Sequence, residues 1–167
     1  MVKKQKWFEQ PFCLAGHSLG GMTTLLFSEK HPKQIKAIDP ISTSISGKLT
    51  IDRYKNQKIY SGWKKTGYQI AYSGTKPGLI KKLKWDYLID VKKYDVLKNA
   101  PKLKMPVLLI TGSKDISCPP KHQRLLYKKL PGPKEFHIIK NAPHTFRKKK
   151  HLQEIKKIMK DWIKKLI

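Results

Sequence analysis

The chain contains 167 residues, of which 39% are hydrophobic, and it carries a formal net charge of +26 at pH 7. This length is enough for one domain with its own core. No apolar run approaches the roughly 18 residues that span a bilayer, and no apolar segment follows the N-terminal lysines as it would in a signal peptide. We therefore expect a cytoplasmic protein without a transmembrane segment.

The two cysteines, Cys13 and Cys118, adjoin apolar runs and have no C-x-x-C spacing. Disulfide frameworks and zinc sites both depend on regular cysteine spacings. The sequence indicates neither, and we expect no cofactor.

Lysine accounts for nearly all of the positive charge, and only three residues supply a guanidinium group: Arg53, Arg124 and Arg147. A charge of this size can indicate binding to nucleic acid or to an anionic surface. However, the lysines are spread along the whole chain instead of being gathered in one patch, and a lysine-rich solvated surface gives the same total. We expect weak, salt-sensitive adhesion to polyanions and no specific nucleic-acid partner.

The first predicted elements are a polar and aromatic segment at 3–10, typical of the last turns of a helix, and an apolar strand at 12–15. Pro11 separates the two segments. Directly after the strand, apolar residues recur at helical spacing from Met22 onward. The pattern predicts a strand, a sharp turn centred on Ser18, and a helix.

This turn has the pattern G-x-S-x-G, with Gly16 and Gly20 placed two residues before and two residues after Ser18. So tight a turn strains the serine backbone and brings neighbouring chain very close, so we expect both positions to require glycine. Gly21 lets the helix pack against the strand. The turn presents the serine hydroxyl above the sheet, where the first helical N–H groups, notably that of Leu19, can hold a developing oxyanion.

The segment from Gly16 to Gly21, GHSLGG, resembles the nucleophile elbow of the α/β-hydrolase family. The resemblance implies a serine nucleophile followed in chain order by an acid and a histidine. In that family four strands with their helices normally precede the nucleophile strand, and none is found before Phe12. The chain is thus similar to the C-terminal portion of an α/β-hydrolase, without the loop that usually supplies the second oxyanion donor.

A short strand is predicted at 35–39, ended by Pro40, and the character of the sequence changes between 41 and 99. Glycines there alternate with aromatic residues, and no long regular period holds. The resembled family inserts a lid or cap at this point, so we interpret 41–99 as a lid-like insertion within one domain of 1–167. Its aromatic residues either line an acyl or aryl pocket or pack the insertion.

The remaining sequence alternates strands and helices. Strands are predicted at 105–111 and 135–139, and helices at 122–130 and 152–166. The last helix has apolar residues on one face and lysines opposite, which favours a core-facing helix over one that lies on a membrane. We predict an α/β protein: a partial α/β-hydrolase fold with a mostly parallel sheet of about four strands flanked by helices.

Three chemically suited side chains follow three of these strands: Ser18, Asp115 and His144. The carboxyl ends of parallel strands meet at one edge of a sheet, so their loops converge. A serine nucleophile needs a base that takes its proton and an anion that orients the base. The order Ser, Asp, His is that of the α/β-hydrolases, and the resemblance extends to Pro119 after the acid and Phe146 after the histidine.

Other residues compete for these roles. Asp39 also ends a strand and is an alternative acid, although an aspartate before a proline often only forms a turn. His17 lies within the elbow, where packing or a hydrogen bond is expected more than a role as base. Pro143 stands where a glycine is common in the family. The other histidines are expected to be surface or packing residues: His31, His122, His137 and His151.

The resulting prediction is a serine hydrolase that cleaves carboxylic esters through an acyl-enzyme and takes a small-molecule ester or acyl substrate. The loops around Asp115 and His144 look most similar to the serine-aminopeptidase-like and monoacylglycerol-lipase-like branch of the family. Peptidase and thioesterase activities stay as alternatives within it. A non-catalytic basic module that binds nucleic acid or anionic surfaces is the hypothesis from another class.

The nucleophile strand is also expected to lie at the edge of the sheet, where unpaired backbone groups invite pairing or aggregation. We expect this edge to be covered by a separately encoded N-terminal fragment or by a second copy of the chain, or to stay uncovered. A truncated or partner-dependent, weakly active hydrolase half is therefore the alternative to a self-sufficient enzyme.

Overall fold

The computed structural model describes residues 9–55, 57–72 and 76–166. The chain divides into two compact units, one of Met1–Ile45 with Val96–Ile167 and one of Ser46–Asp95. We call them the sheet unit and the insertion unit. The helical turns predicted at 3–10 fall mostly outside the described residues.

The strands in chain order are β1 Phe12–His17, β2 Ile35–Ile41, β3 Tyr68–Tyr72, β4 Ile80–Lys84, β5 Val107–Gly112 and β6 Lys134–Ile139. The helices are α1 Leu19–Lys30, α2 Gly47–Lys55, α3 Ile59–Thr66, α4 Asp86–Val91, α5 Val96–Asn99, α6 Pro120–Lys129 and α7 Lys149–Lys164. Over the described ranges, no helix combines the length and the apolar character that crossing a membrane requires.

The sheet unit is built on four parallel strands in the order β1-β2-β5-β6. Every residue of β5 is buried, as its uninterrupted apolar sequence predicts for a strand covered on both faces. β1 lies at one edge, where its residues alternate between exposed and half-buried. The prediction of a parallel sheet of about four strands flanked by helices is confirmed.

The strand β2 continues through Pro40 to Ile41, so the prediction that the proline ends it is wrong. The N–H groups of Ile38 and Ser42, two residues to either side, donate toward the β5 segment at 3.0 and 2.7 Å. Proline lacks this donor, and the ladder loses one bond there. The flanking hydrogen bonds and the pairing of Pro40 with Gly16 of β1 keep β2 in the sheet at the position of the missing bond.

The helix α7 buries only part of its apolar stripe. Ile155 and Trp162 join the core together with Leu108 of β5. Leu152 and Ile163, which the sequence assigns to the same face, are 54% and 43% exposed. The stripe is wider than the surface that α7 covers, so the core-facing prediction holds for one side of the helix.

The insertion unit contains α2, α3 and α4 and the antiparallel hairpin of β3 and β4. Its core is centred on Trp63, which is 1% exposed and packs with Leu88 and Val91. Gly47 is required at its start, because a Cβ there would lie 1.8 Å from the carbonyl oxygen of Val91. The aromatic side chains packed against this core are Tyr54, Tyr60, Trp85 and Tyr87.

Candidate active site

Ser18 lies in the turn between β1 and α1, and its backbone has φ 58° and ψ −119°. A positive φ is strained for a residue with a side chain, so the surrounding fold has to impose it. The Ser18 N–H donates to the Ile41 carbonyl at 3.0 Å, and the Ser18 carbonyl accepts from the N–H groups of Met22 and Ser44 at 3.2 and 3.3 Å. These bonds fix the turn to the end of β2 and to the first turn of α1.

The glycines around the turn have unequal roles. A Cβ on Gly16 would lie 2.4 Å from the carbonyl oxygen of Gly20, and one on Gly21 would lie 2.6 Å from the Thr43 hydroxyl. A Cβ on Gly20 would meet nothing within 4 Å. The expectation that bulk is excluded at Gly20 is therefore wrong: its backbone makes the close approach, and its missing side chain points into open space.

The three side chains proposed from the sequence as a triad form one chain of hydrogen bonds. His144 Nε2 lies 3.0 Å from the Ser18 hydroxyl, and His144 Nδ1 lies 2.8 Å from Asp115 Oδ2. The residues come from the loops after β1, β5 and β6. With Nδ1–H donating to the carboxylate, the lone pair of Nε2 faces the serine hydroxyl, which is the tautomer that proton abstraction requires.

The carboxyl group of Asp115 is buried and held from both sides. Its Oδ1 accepts the N–H groups of Ser117 and Cys118, each at 2.8 Å, while Oδ2 faces His144. Burial by itself raises the pKa of Asp115, but the hydrogen bonds from His144 and Cys118 outweigh it and leave the pKa below its ordinary value. The group is therefore a carboxylate at neutral pH.

The loop that carries His144 rests directly on the end of β5. A Cβ on Gly112 would lie 2.2 Å from the carbonyl oxygen of Ala142, so this approach requires glycine. The Ser113 hydroxyl accepts the N–H of Asn141 at 2.8 Å, which fastens the two loops together. The imidazole reaches both of its partners with Pro143 in the position where the family commonly has glycine.

His17 ties the elbow to the histidine loop. Its Nε2 donates to the backbone carbonyl of His144 at 2.8 Å, and the two imidazole rings lie 4.7 Å apart. The ring of Phe146 contacts His17 edge-on at 6.1 Å. The sequence predicted packing or a hydrogen bond for His17, but its partner, 127 positions away, carries no local signal.

Asp39, the alternative acid, is 2% exposed, and neither of its oxygens has a hydrogen-bond partner within the described residues. Burial raises the pKa of Asp39 to about 7. The histidine of the cluster is bound to Asp115 instead. His31 packs against Phe27, His137 bonds to Glu135, and His151 is buried in α7.

The model of the prolyl oligopeptidase family matches residues 1–167, which is the whole chain. No curated protein sequence matches. Solved structures with the same fold include mouse alpha/beta hydrolase domain-containing protein 10 (20% identity, TM-score 0.77) and Est1E from Butyrivibrio proteoclasticus (20%, 0.77). The monoacylglycerol lipase of Paleococcus ferrophilus is 22% identical, with a TM-score of 0.69.

The mouse, Butyrivibrio and Paleococcus structures cover 98%, 99% and 95% of this chain, whereas the chain covers 66%, 64% and 70% of theirs. It therefore spans about two-thirds of the length of these α/β-hydrolases. The identities are low enough that these structures establish the fold, while the family model covers the chain from end to end. The chain belongs to the prolyl oligopeptidase family and has a partial α/β-hydrolase fold.

Proposed function

We propose that this chain is a serine hydrolase that cleaves carboxylic esters through an acyl-enzyme. The observation that carries the proposal is the hydrogen-bond chain from the Ser18 hydroxyl through His144 to Asp115. Its members are 126 and 29 positions apart, so the fold has to bring them together. Such an arrangement activates a hydroxyl for attack on a carbonyl carbon.

In the proposed first step His144 Nε2 accepts the proton of Ser18 while the serine oxygen attacks the carbonyl carbon of the substrate. The Asp115 carboxylate keeps the imidazole in the required tautomer and stabilises the imidazolium that forms. His144 then protonates the leaving alcohol. A water molecule, deprotonated by the same imidazole, attacks the acyl-enzyme and releases the acid.

We assign the N–H of Leu19 as the hydrogen-bond donor to the developing oxyanion. This residue is the first of α1, so its N–H has no acceptor within the helix, and the helix N-terminus favours negative charge there. Removing one oxyanion donor from a serine hydrolase costs roughly 100- to 1000-fold in rate.

Esters are the preferred substrate class because the structural relatives include Est1E with bound ferulic acid, an esterase domain from Rhodothermus marinus and a monoacylglycerol lipase. Peptide-bond cleavage is the second candidate, since the matching family is that of prolyl oligopeptidase. A p-nitrophenyl ester and a p-nitroanilide of the same acyl group separate the two. Cleavage of the ester alone supports the first, and comparable cleavage of the anilide supports the second.

We further propose that activity depends on how the open edge of β1 is covered. β1 carries the nucleophile at its end and has β2 as its neighbour on one side only among the described strands. An N-terminal fragment or a second copy of the chain would supply a pairing strand for the other side. Light scattering at several concentrations distinguishes a second copy, which gives a dimer, from a monomer whose edge is open.

The proposal is tested by labelling with a fluorophosphonate probe, which reacts only with an activated serine. The wild-type chain and Ser61→Ala, which removes an exposed serine of the insertion unit, are expected to label equally. Ser18→Ala is expected not to label, and His144→Ala to label much more slowly. A folded wild-type chain that does not react contradicts a self-sufficient hydrolase and leaves the partner-dependent half or the basic module.

A further inference from the structure

A cavity of about 480 Å³ lies within the insertion unit, between α2 and α4. Its volume is in the range of about 300–1,000 Å³ typical of small-molecule sites. All of its lining residues belong to Ser46–Asp95, and none belongs to the Ser18, His144 and Asp115 cluster. The cavity can therefore be described within the insertion unit alone.

The inner surface of the cavity is apolar and partly aromatic. Leu88, 3% exposed, and the half-buried Ile51 form part of it. Tyr60 and Trp85 meet edge-to-face with ring centroids 5.2 Å apart, and Trp85 is held at 90° against the buried Trp63, 5.8 Å away. This packing gives a rigid aromatic wall, which a planar ligand can meet edge-on or in an offset stack.

The rim of the cavity is positively charged. Lys48, Lys55 and Lys92 line it together with one acid, Asp52. Asp52 lies 3.8 Å from the ammonium group of Lys55, whereas Lys48 and Lys92 form no ion pair with any described residue. Two lysines without counter-ions among the described residues, one in α2 and one directly after α4, are therefore available to a ligand that carries negative charge.

From this combination we propose that the cavity binds a small aromatic monoanion, such as an aryl carboxylate or aryl sulfonate. The aromatic wall takes the ring, and Lys48 or Lys92 takes the anionic group at the rim. A neutral aromatic compound leaves both lysines without a partner, and a small inorganic anion leaves the apolar surface uncovered. Both are expected to bind more weakly than a molecule that combines the two features.

Calorimetric titration tests this assignment in a Ser18→Ala background, so that binding is measured without any hydrolysis. The probe is 2-naphthoate, compared with 2-naphthalenemethanol, which has the same ring system without the charge, and with acetate, which has the charge without the ring. We expect 2-naphthoate to bind at least roughly tenfold more tightly than either, because a charge-assisted contact to lysine is lost in the alcohol. No binding of 2-naphthoate, or equal binding of the alcohol, overturns the proposal.

The double variant Lys48→Gln, Lys92→Gln tests the place of binding. Its matched control is Lys98→Gln, Lys102→Gln, which removes the same charge from exposed positions of the sheet unit. We expect the affinity for 2-naphthoate to fall roughly tenfold or more in the first double variant and less than twofold in the second. Equal losses would mean that the general positive field of the chain attracts the anion, and would refute the cavity site.

A third variant, Ile89→Glu, places a negative charge on the cavity lining at a side chain that is 55% exposed, so folding is spared. Leu125→Glu makes the same kind of change on α6, at a side chain that is 44% exposed. Binding of 2-naphthoate is expected to be lost in the first variant and kept in the second. Circular dichroism verifies that each variant is folded before titration.

Discussion

The two glycines that frame Ser18 should respond in opposite ways to alanine. In Gly16→Ala the new Cβ would lie 2.4 Å from the carbonyl oxygen of Gly20 and 2.5 Å from its carbonyl carbon. Carbon atoms in contact normally stand about 3.5–4.0 Å apart, so the overlap is about 1 Å and falls on backbone that cannot rotate away. Overpacking of this kind costs about 1–3 kcal/mol.

In Gly20→Ala the Cβ meets nothing within 4 Å, and the residue lies in the first turn of α1. Alanine is favoured over glycine in a helix by up to about 1 kcal/mol. For a chain of this size 1 kcal/mol shifts the melting temperature by roughly 2–4 °C. We therefore expect Gly20→Ala to melt up to about 4 °C above wild type, and Gly16→Ala roughly 4–8 °C below it for a cost near 2 kcal/mol.

The assay is thermal unfolding followed by circular dichroism, together with the rate of fluorophosphonate labelling at 25 °C. Gly16→Ala is expected to lose labelling even where it remains folded, because the clash displaces the turn that holds Ser18. Equal destabilisation by the two substitutions would refute the reasoning, since it would mean that the side chain of residue 20 is as crowded as that of residue 16.

Three further predictions concern titratable groups. Burial raises the pKa of Asp39 to about 7 in the folded state, so the folded chain keeps a proton that the unfolded chain loses, and the free energy of unfolding falls as pH rises from about 4 to 7. Asp39→Asn should remove this loss: in urea unfolding the variant should be more stable than wild type by a few kcal/mol at pH 8 and little changed at pH 4. The pKa of Asp115 is lowered, so its carboxylate stabilises the folded chain at neutral pH, and this contribution is lost as pH falls through the folded pKa. Asp115→Asn should remove this part of the acid dependence of the free energy of unfolding, and should slow ester hydrolysis roughly 10³- to 10⁴-fold. His17→Phe should cost about 1 kcal/mol by removing the bond to the His144 carbonyl, and should slow phosphonate labelling while Ser18 and its partners remain intact.

The strands and the loops that end them were predictable because their signals are local. The run from Val107 to Gly112 is apolar at every position up to Ile110, and such an uninterrupted apolar run is enough to predict a strand buried on both faces. The turn around Ser18 is encoded by the glycine that its geometry demands at position 16. Chain order and parallel topology then suffice to place Asp115 and His144 at the same edge.

What the sequence could not supply depends on distant neighbours. Positions 16 and 20 are both glycine in the motif G-x-S-x-G, so the sequence does not show that the first is crowded and the second is open. The folded turn sets the direction in which each Cβ would point. The passage of β2 through Pro40 depends on neighbouring strands that hold it from both sides. The helices of the insertion unit lack a long regular period and pack around Trp63, whose contacts come from separate segments.

The strand that precedes Ser18, the nucleophile that we propose, lies at one edge of the sheet. β1 ends at His17, directly before Ser18, and among the described strands it pairs with β2 alone, whereas Asp115 follows β5, which is paired on both sides and fully buried. The strand β6, which precedes His144, lies at the other edge of the sheet. Asp115 and its loop therefore follow a strand that is fully paired and fully buried, whereas Ser18 is held by the hydrogen bonds of its turn. Loss of pairing in a sheet begins at its edge strands, so we expect opening of β1 to withdraw Ser18, and opening of β6 to withdraw His144, from Asp115. We therefore propose that covering the open side of β1 raises the activity proposed for Ser18 without any change to Ser18, His144 or Asp115.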